Sequence, residues 1–165
     1  MTPRIDLEVT QNLPPGAQAL LKTLFAGYRQ IIVKREFTGN LSGSRVFLVQ
    51  PVAEDGATLP VVVKFAAISL IEREWQAYQN VRQMLYGMVQ IQAHGLSTEE
   101  DWGALCYPLQ GGGVFSFESL HDYYRQHTPD SVVSVLCRLF KTLASIHNQS
   151  QARPGFSWRA SYDHI

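Results

Sequence analysis

The 165 residues predict an α+β fold: a five-stranded antiparallel sheet with an inserted helix, preceded by one helix and followed by two helices. Three observations carry this expectation. Between Ile31 and Leu109, runs rich in β-branched and aromatic residues are separated by turns bearing Gly, Asn, Ser and Asp. Inside that region one segment changes period, with Ile71, Trp75, Tyr78, Arg82 and Leu85 at helical spacing. Past the run Gln110-Gly-Gly-Gly the apolar pattern is helical.

In chain order, Leu13-Pro-Pro-Gly reads as a turn that opens a first helix, from about Pro15 to Tyr28, with Leu20, Leu21, Leu24, Phe25 and Tyr28 on one face. Ile31 to Phe37 and Arg45 to Pro51 flank a Gly/Ser/Asn turn and predict a hairpin. Asp55-Gly56 is a tight turn, and it feeds a third strand, Leu59 to Ala67. The inserted helix runs from about Ser69 to Leu85, with Ser69 as N-cap and Glu72 completing a capping box. Met88 to Ala93 and Ala104 to Leu109 read as two further strands around the polar turn that starts at Gly95 and ends at Asp101. Two helices follow, about Phe117 to His127 and Ser131 to Asn148. The second carries an apolar stripe of Val132, Leu136, Leu139, Phe140, Leu143 and Ile146. The expected organisation is therefore a helical extension (1–30), a sheet unit (31–110) and a helical segment (111–165).

Composition excludes some classes of function. With 14 basic and 14 acidic residues the formal net charge is zero, so no general attraction to nucleic acid or anionic lipid is expected. No apolar run approaches the roughly 20 residues of a membrane span, and Met-Thr-Pro-Arg-Ile-Asp lacks a charged-then-apolar leader pattern. A cytoplasmic location is the resulting expectation. Cys106 and Cys137 lack the paired spacing of a zinc or redox site and read as reduced core residues. The five histidines form no His-Glu-x-x-His pattern, and no metal site made by side chains alone is expected.

Lys64 is the residue that needs a reason. It sits in the apolar run Leu59 to Ala67, and a lysine is almost never fully buried unless an anion meets its ammonium. Glu72 and Glu74, on the helix that follows, are the nearest candidates; Glu72 has the capping role available to it, whereas Glu74 has none. The alternative is an edge strand whose lysine extends to water. Upstream, the glycine-bearing hairpin from Phe37 to Val49 either lays backbone N–H groups over a phosphate or forms a plain β-turn.

Hairpin, lysine strand, acidic helix, two more strands and a glycine link, in this order, resemble the small lobe of the protein-kinase-like fold. The similarity is greatest to the aminoglycoside and choline phosphotransferase branch, whose nucleotide hairpin often reads Gly-x-Ser-x. It covers about Ile31 to Leu109, and the following helices resemble the first helices of the large lobe. A similar layout belongs to kinase-like domains within larger bacterial signalling proteins. The resemblance implies that Gly39, Ser42, Gly43 and Ser44 cover the phosphates of a nucleotide and that Lys64 reaches its α- and β-phosphates. It implies that Glu74, with Glu72 as second choice, holds Lys64, and that Tyr107, Pro108 and Leu109 form a hinge whose backbone reads adenine. ATP is the implied cofactor, with Mg²⁺ only where a complete large lobe supplies its ligands.

The sequence departs from that pattern in two places. Gly39 and Gly43 do not reproduce the three spaced glycines of protein kinases. After Leu143 to His147, which resembles the end of the helix before the catalytic loop, only Tyr162-Asp163-His164-Ile165 falls near the expected position, without the Asp and Asn motifs. No catalytic residue and no metal ligand is assigned, and the chain is expected to be a fragment lacking most of a large lobe. Two functions compete: the nucleotide-binding small-lobe portion of a phosphotransferase, catalytically incomplete alone, and a non-catalytic, pseudokinase-type interaction module. The expected partners are a nucleotide, and the remainder of a parent protein, another protein or a second copy through the helical segment.

Overall fold

Alternate residues of β5 (Val61–Ala67), the strand that carries Lys64, decide which helix covers each face of the sheet. In the computed structural model, residues 2–8, 12–14, 16–37, 43–82, 91–97, 101–109 and 120–149 are described. They fall in two compact units, Met1–Phe117 and Glu118–Ile165.

The first unit holds a mixed sheet. Its strands are β1 (Arg4–Leu7), β2 (Gln30–Phe37), β3 (Arg45–Ala53), β4 (Gly56–Ala57), β5, β6 (Ala93–Ser97) and β7 (Trp102–Pro108). They lie in the order β1-β2-β3-β5-β7-β6, with β4 paired to β3. Every pairing is antiparallel except β1 with β2, which is parallel. Two helices belong to this unit, α1 (Ala17–Leu24) and α2 (Ile68–Val81).

Val61, Val63 and Phe65 of β5 point to one face, where Phe47 and Val49 of β3 and Ala104 and Cys106 of β7 join them. Ala17, Leu20, Leu21 and Phe25 close this face from α1 and α1's final turn. Phe47 and Phe65 meet edge to face at 5.8 Å between ring centres. On the opposite face, Leu105 of β7 and Ala66 of β5 pack with Ile71 of α2, and Leu70, Trp75, Tyr78 and Tyr107 border them. Lys64, directly opposite Leu105 and Val46, shares this second face.

The architecture is α+β, but where five antiparallel strands were expected the described residues form seven, one of them paired in parallel. β1 was hidden by its length: Arg4–Leu7 has one fully apolar alternation, and what fixes it is a non-local bond, Gln30 Nε2 donating to Asp6 Oδ2 at 2.6 Å. β4 is two residues beyond the Asp55-Gly56 turn, where Gly56 takes φ 136°. The strand expected at Met88 to Ala93 lies instead at Ala93–Ser97, and 83–90 are outside the described residues. Gly95 was read as a turn residue; it is a strand residue where α1 comes close, and a Cβ there would meet Leu24 Cδ2 at 3.3 Å.

Helix boundaries also moved. α1 ends at Leu24 because the chain turns over Phe25 to Gly27, with Tyr28 N–H donating to Phe25 O at 2.9 Å. Ser69 is not the N-cap of α2. β5 runs straight into the helix at Ile68, whose N–H donates to Asp101 O at 3.3 Å in the β6–β7 turn, so no side-chain cap forms. The capping-box role expected of Glu72 disappears with it.

The second unit contains α3 (Leu120–Gln126) and α4 (Pro129–Gln149). α4 starts two residues before the expected Ser131, with Thr128 Oγ1 accepting from Ser131 N–H at 3.4 Å and Pro129 in the first helical position. Of the expected stripe, Val132 is buried and Leu136 half-buried, while Leu139 and Phe140 are exposed. The side chains of Leu143 and Ile146 are outside the described residues. Cys137, expected in a core, is exposed, whereas Cys106 is buried. No described helix is long and apolar enough to cross a membrane.

Among the described glycines, the tightest approach of a helix to the sheet lies at Gly103. A Cβ there would stand 3.0 Å from Ile71 Cβ, Cγ1 and Cγ2. Gly103→Ala is expected to cost about 1–3 kcal/mol in urea denaturation through overpacking. Gly27→Ala, whose added Cβ meets nothing within 4 Å, should stay within about 0.5 kcal/mol of the parent. A neutral Gly103→Ala would contradict the packing.

Candidate functional site

β5 lies inside the sheet, flanked by β3 and β7, so Lys64 is not an edge lysine. Its Nζ donates to Glu74 Oε2 of α2. The other carboxylate oxygen, Glu74 Oε1, accepts from the hydroxyl of Tyr107 on β7. One carboxylate thus joins two strands to one helix. Glu72, the competing partner, is exposed.

The register explains why these three side chains meet. Directly paired residues share a face, and the Lys64–Leu105 and Val62–Tyr107 pairs put Lys64 and Tyr107 two residues apart on the α2 side. α2 is held over them by Ile71 against Gly103 and by Trp75, whose ring stacks on His94 of β6 at 5.1 Å with the planes 3° apart. Glu74, next to Trp75, is thereby brought over the sheet. His94 Nε2 is buried with no hydrogen-bond partner among the described residues, so the ring is held by stacking.

Burial, followed by the hydrogen bond and the charge of Glu74, raises the pKa of Tyr107 well above its ordinary value of 10.0. The phenol stays neutral and remains a donor. Glu74 therefore receives one charged and one neutral donor, and the Lys64 side chain, 23% exposed, keeps part of its surface open. A depression of about 270 Å³ borders this group, lined by Lys64, Leu70, Arg73, Glu74 and Ala77.

The remaining expected site residues divide. Gly43 takes φ 68° and a Cβ there would meet nothing within 4 Å, so glycine is required by the backbone and not by space. Ser44 is buried. Gly39 and Ser42 lie outside the described residues, as do the Gly111 to Gly113 link and Asp163. Leu109 follows β7 and lines a second depression, of about 260 Å³, with Phe25, Tyr28, Pro51, Pro60 and Pro108. Tyr107 is in place at the end of β7, but its side chain, for which the sequence suggested no task, is what the structure adds to the site. A phenol two residues from the partner of Lys64 in the ladder was the available signal, and it required the register to be known.

Arg45, beside the hairpin loop, is committed elsewhere. It pairs with Phe65 in the ladder and so points to the α1 face, away from Lys64. Its guanidinium binds Glu36 through Nε and one terminal nitrogen, each at 2.7 Å, and donates to Asn12 O at 2.6 Å. This fork holds the hairpin together and lowers the pKa of Glu36. Among the described residues no group of three or more His, Cys, Asp or Glu is placed to hold a metal ion.

The family profile of ternary complex associated domain 9 matches residues 29–163, most of the chain and all of the site. The chain belongs to the ternary complex associated domain 9 family. The match begins at the foot of β2, so β1 and α1 precede the part shared with the family, although α1 supplies one wall of the core. No curated protein matches the chain.

Tyr107→Phe separates the hydrogen bond from the ring. It should lower stability at neutral pH by about 1–2 kcal/mol, because Glu74 Oε1 loses its donor. Because the folded-state pKa of Tyr107 is raised, its contribution is complete below about pH 10 and is lost as pH rises beyond, where only the unfolded chain releases the proton. The variant should therefore lose less stability than the parent above pH 10. The slope it retains belongs in part to Cys106, whose thiol burial pushes from 9.0 up to about 12. Denaturation curves from pH 7 to 11 measure both effects.

Proposed function

We propose that this chain is the nucleotide-binding, small-lobe portion of a kinase-like phosphotransferase, with ATP as ligand and without a complete catalytic apparatus of its own. The observation that carries this reading is the ion pair between the strand lysine Lys64 and the helix carboxylate Glu74. In protein kinases such a pair must be in place for the lysine to meet the nucleotide phosphates. The supporting features are the inserted α2 after the lysine strand, the hairpin β2–β3 ahead of it, and the left-handed Gly43 at the hairpin's return. Phosphoryl transfer asks for positioned positive charge and backbone donors more than for covalent chemistry, and this unit supplies the charge. Catalysis would need an acceptor-orienting Asp and Mg²⁺ ligands from elsewhere. Cytoplasmic location fits such a role.

A second reading is a pseudokinase-type interaction module in a larger signalling protein. The family's name, ternary complex associated, and the exposed apolar side chains of the helical unit favour it; Phe140 is 61% exposed and Tyr124 69%. The two readings differ in what ATP does. In the first, millimolar ATP raises the melting temperature by several degrees, by mass action on the folded state, and Lys64→Ala abolishes the shift. Absence of any shift in the parent chain would favour the interaction module.

A further inference from the structure

Arg73 lies one residue before Glu74, and the depression beside Lys64 is lined by Leu70, Arg73, Glu74 and Ala77, a single face of α2 at three- and four-residue spacing. Among the described residues Arg73 has no hydrogen-bond or ion-pair partner. Its guanidinium is therefore uncommitted in the lining of a depression that Lys64 also lines. Among the described residues, the charged groups that line this space are Lys64 and Arg73 against Glu74, a surplus of one positive charge. Glu74 is already engaged by Lys64 and Tyr107, so it has little capacity left to neutralise Arg73.

We propose that Arg73 and Lys64 form a two-cation seat for a phosphate group, and that Arg73 takes the outermost phosphate of a bound nucleoside triphosphate. This deepens the nucleotide reading and rests on it for the identity of the ligand. The depression, about 270 Å³, is at or below the lower limit of sites that enclose a whole small molecule, roughly 300 Å³, so it suits the phosphate end and not the nucleoside. A guanidinium matches phosphate with two parallel N–H donors, whereas an ammonium offers a point charge. Lys64 would set the position of the chain of phosphates, and Arg73 would count them.

The test is calorimetry on the full chain in Mg²⁺-free buffer with ATP, AMP and inorganic tripolyphosphate, comparing the parent with Arg73→Gln and Arg73→Lys. Arg73→Gln should weaken ATP and tripolyphosphate by about tenfold, the loss of one charge-assisted pair of hydrogen bonds, and leave AMP unchanged. Arg73→Lys should recover part of the loss. Arg73 is exposed, so circular dichroism should show α2 intact in both variants. Equal ATP affinity in the parent and Arg73→Gln would overturn the proposal, as would failure of tripolyphosphate and ATP alike to bind. Should tripolyphosphate bind in an Arg73-dependent way and ATP bind no more tightly than it, the anion seat would stand and the nucleotide reading would fall.

Discussion

The carboxylate of Glu74 is the constraint on which the α2 side of the sheet depends. Lys64 is placed on an inner strand, opposite Leu105 and with most of its side chain covered, where an uncompensated ammonium would be costly. Glu74 makes that placement tolerable, and Tyr107 donates to its second oxygen, so both carboxylate oxygens are engaged. The consequence is mechanical as well as electrostatic. A contact that ties β5 and β7 to α2 fixes the rotation of the helix about its axis, which in turn decides that Leu70, Arg73 and Ala77 line the adjoining space.

The two faces of the sheet are built for different purposes. On the α1 side, Val63, Phe65, Phe47, Leu21 and Ala17 are fully or almost fully buried, and the Glu36–Arg45 fork closes the hairpin at its edge. That side is a hydrophobic core. On the α2 side, the small cluster of Ala66, Ile71, Ile91 and Leu105 is bordered by Lys64, Glu74 and Tyr107, so apolar packing gives way to polar groups within the length of one strand. This side holds a charged pair in place beside an open depression. The opposite face, which carries no such group among its core residues, is organised for stability.

Much of this was legible from residue pattern alone. The hairpin, the lysine strand, the inserted helix and the last strand all lie within a few residues of their expected positions, because each has a run long enough for its period to dominate. What escaped is governed by non-local contact. β1 is four residues whose pairing with β2 rests on parallel backbone bonds and on Asp6 meeting Gln30. Gly95 looks like a turn glycine in a one-dimensional string, yet it marks a place where α1 presses against the sheet, as Gly103 does for α2. Glu74 and not Glu72 meets Lys64 because of the face each takes on α2, Glu72 being exposed, and not because Glu72 is occupied as a cap. The chain enters the helix directly from β5, which removes the cap that would have occupied Glu72. Tyr107 was placed correctly at the strand end, but the direction of its side chain follows only from the ladder register with β5.

A double-mutant cycle across Lys64 and Glu74, measured by urea denaturation with Lys64→Met, Glu74→Gln and the double variant, tests the central claim most directly. Each single change should be destabilising, and the two should couple by about 1 kcal/mol or more, since either one leaves the other half of the pair uncompensated. Additive effects, within about 0.5 kcal/mol, would show that the ammonium and the carboxylate act independently and would contradict it.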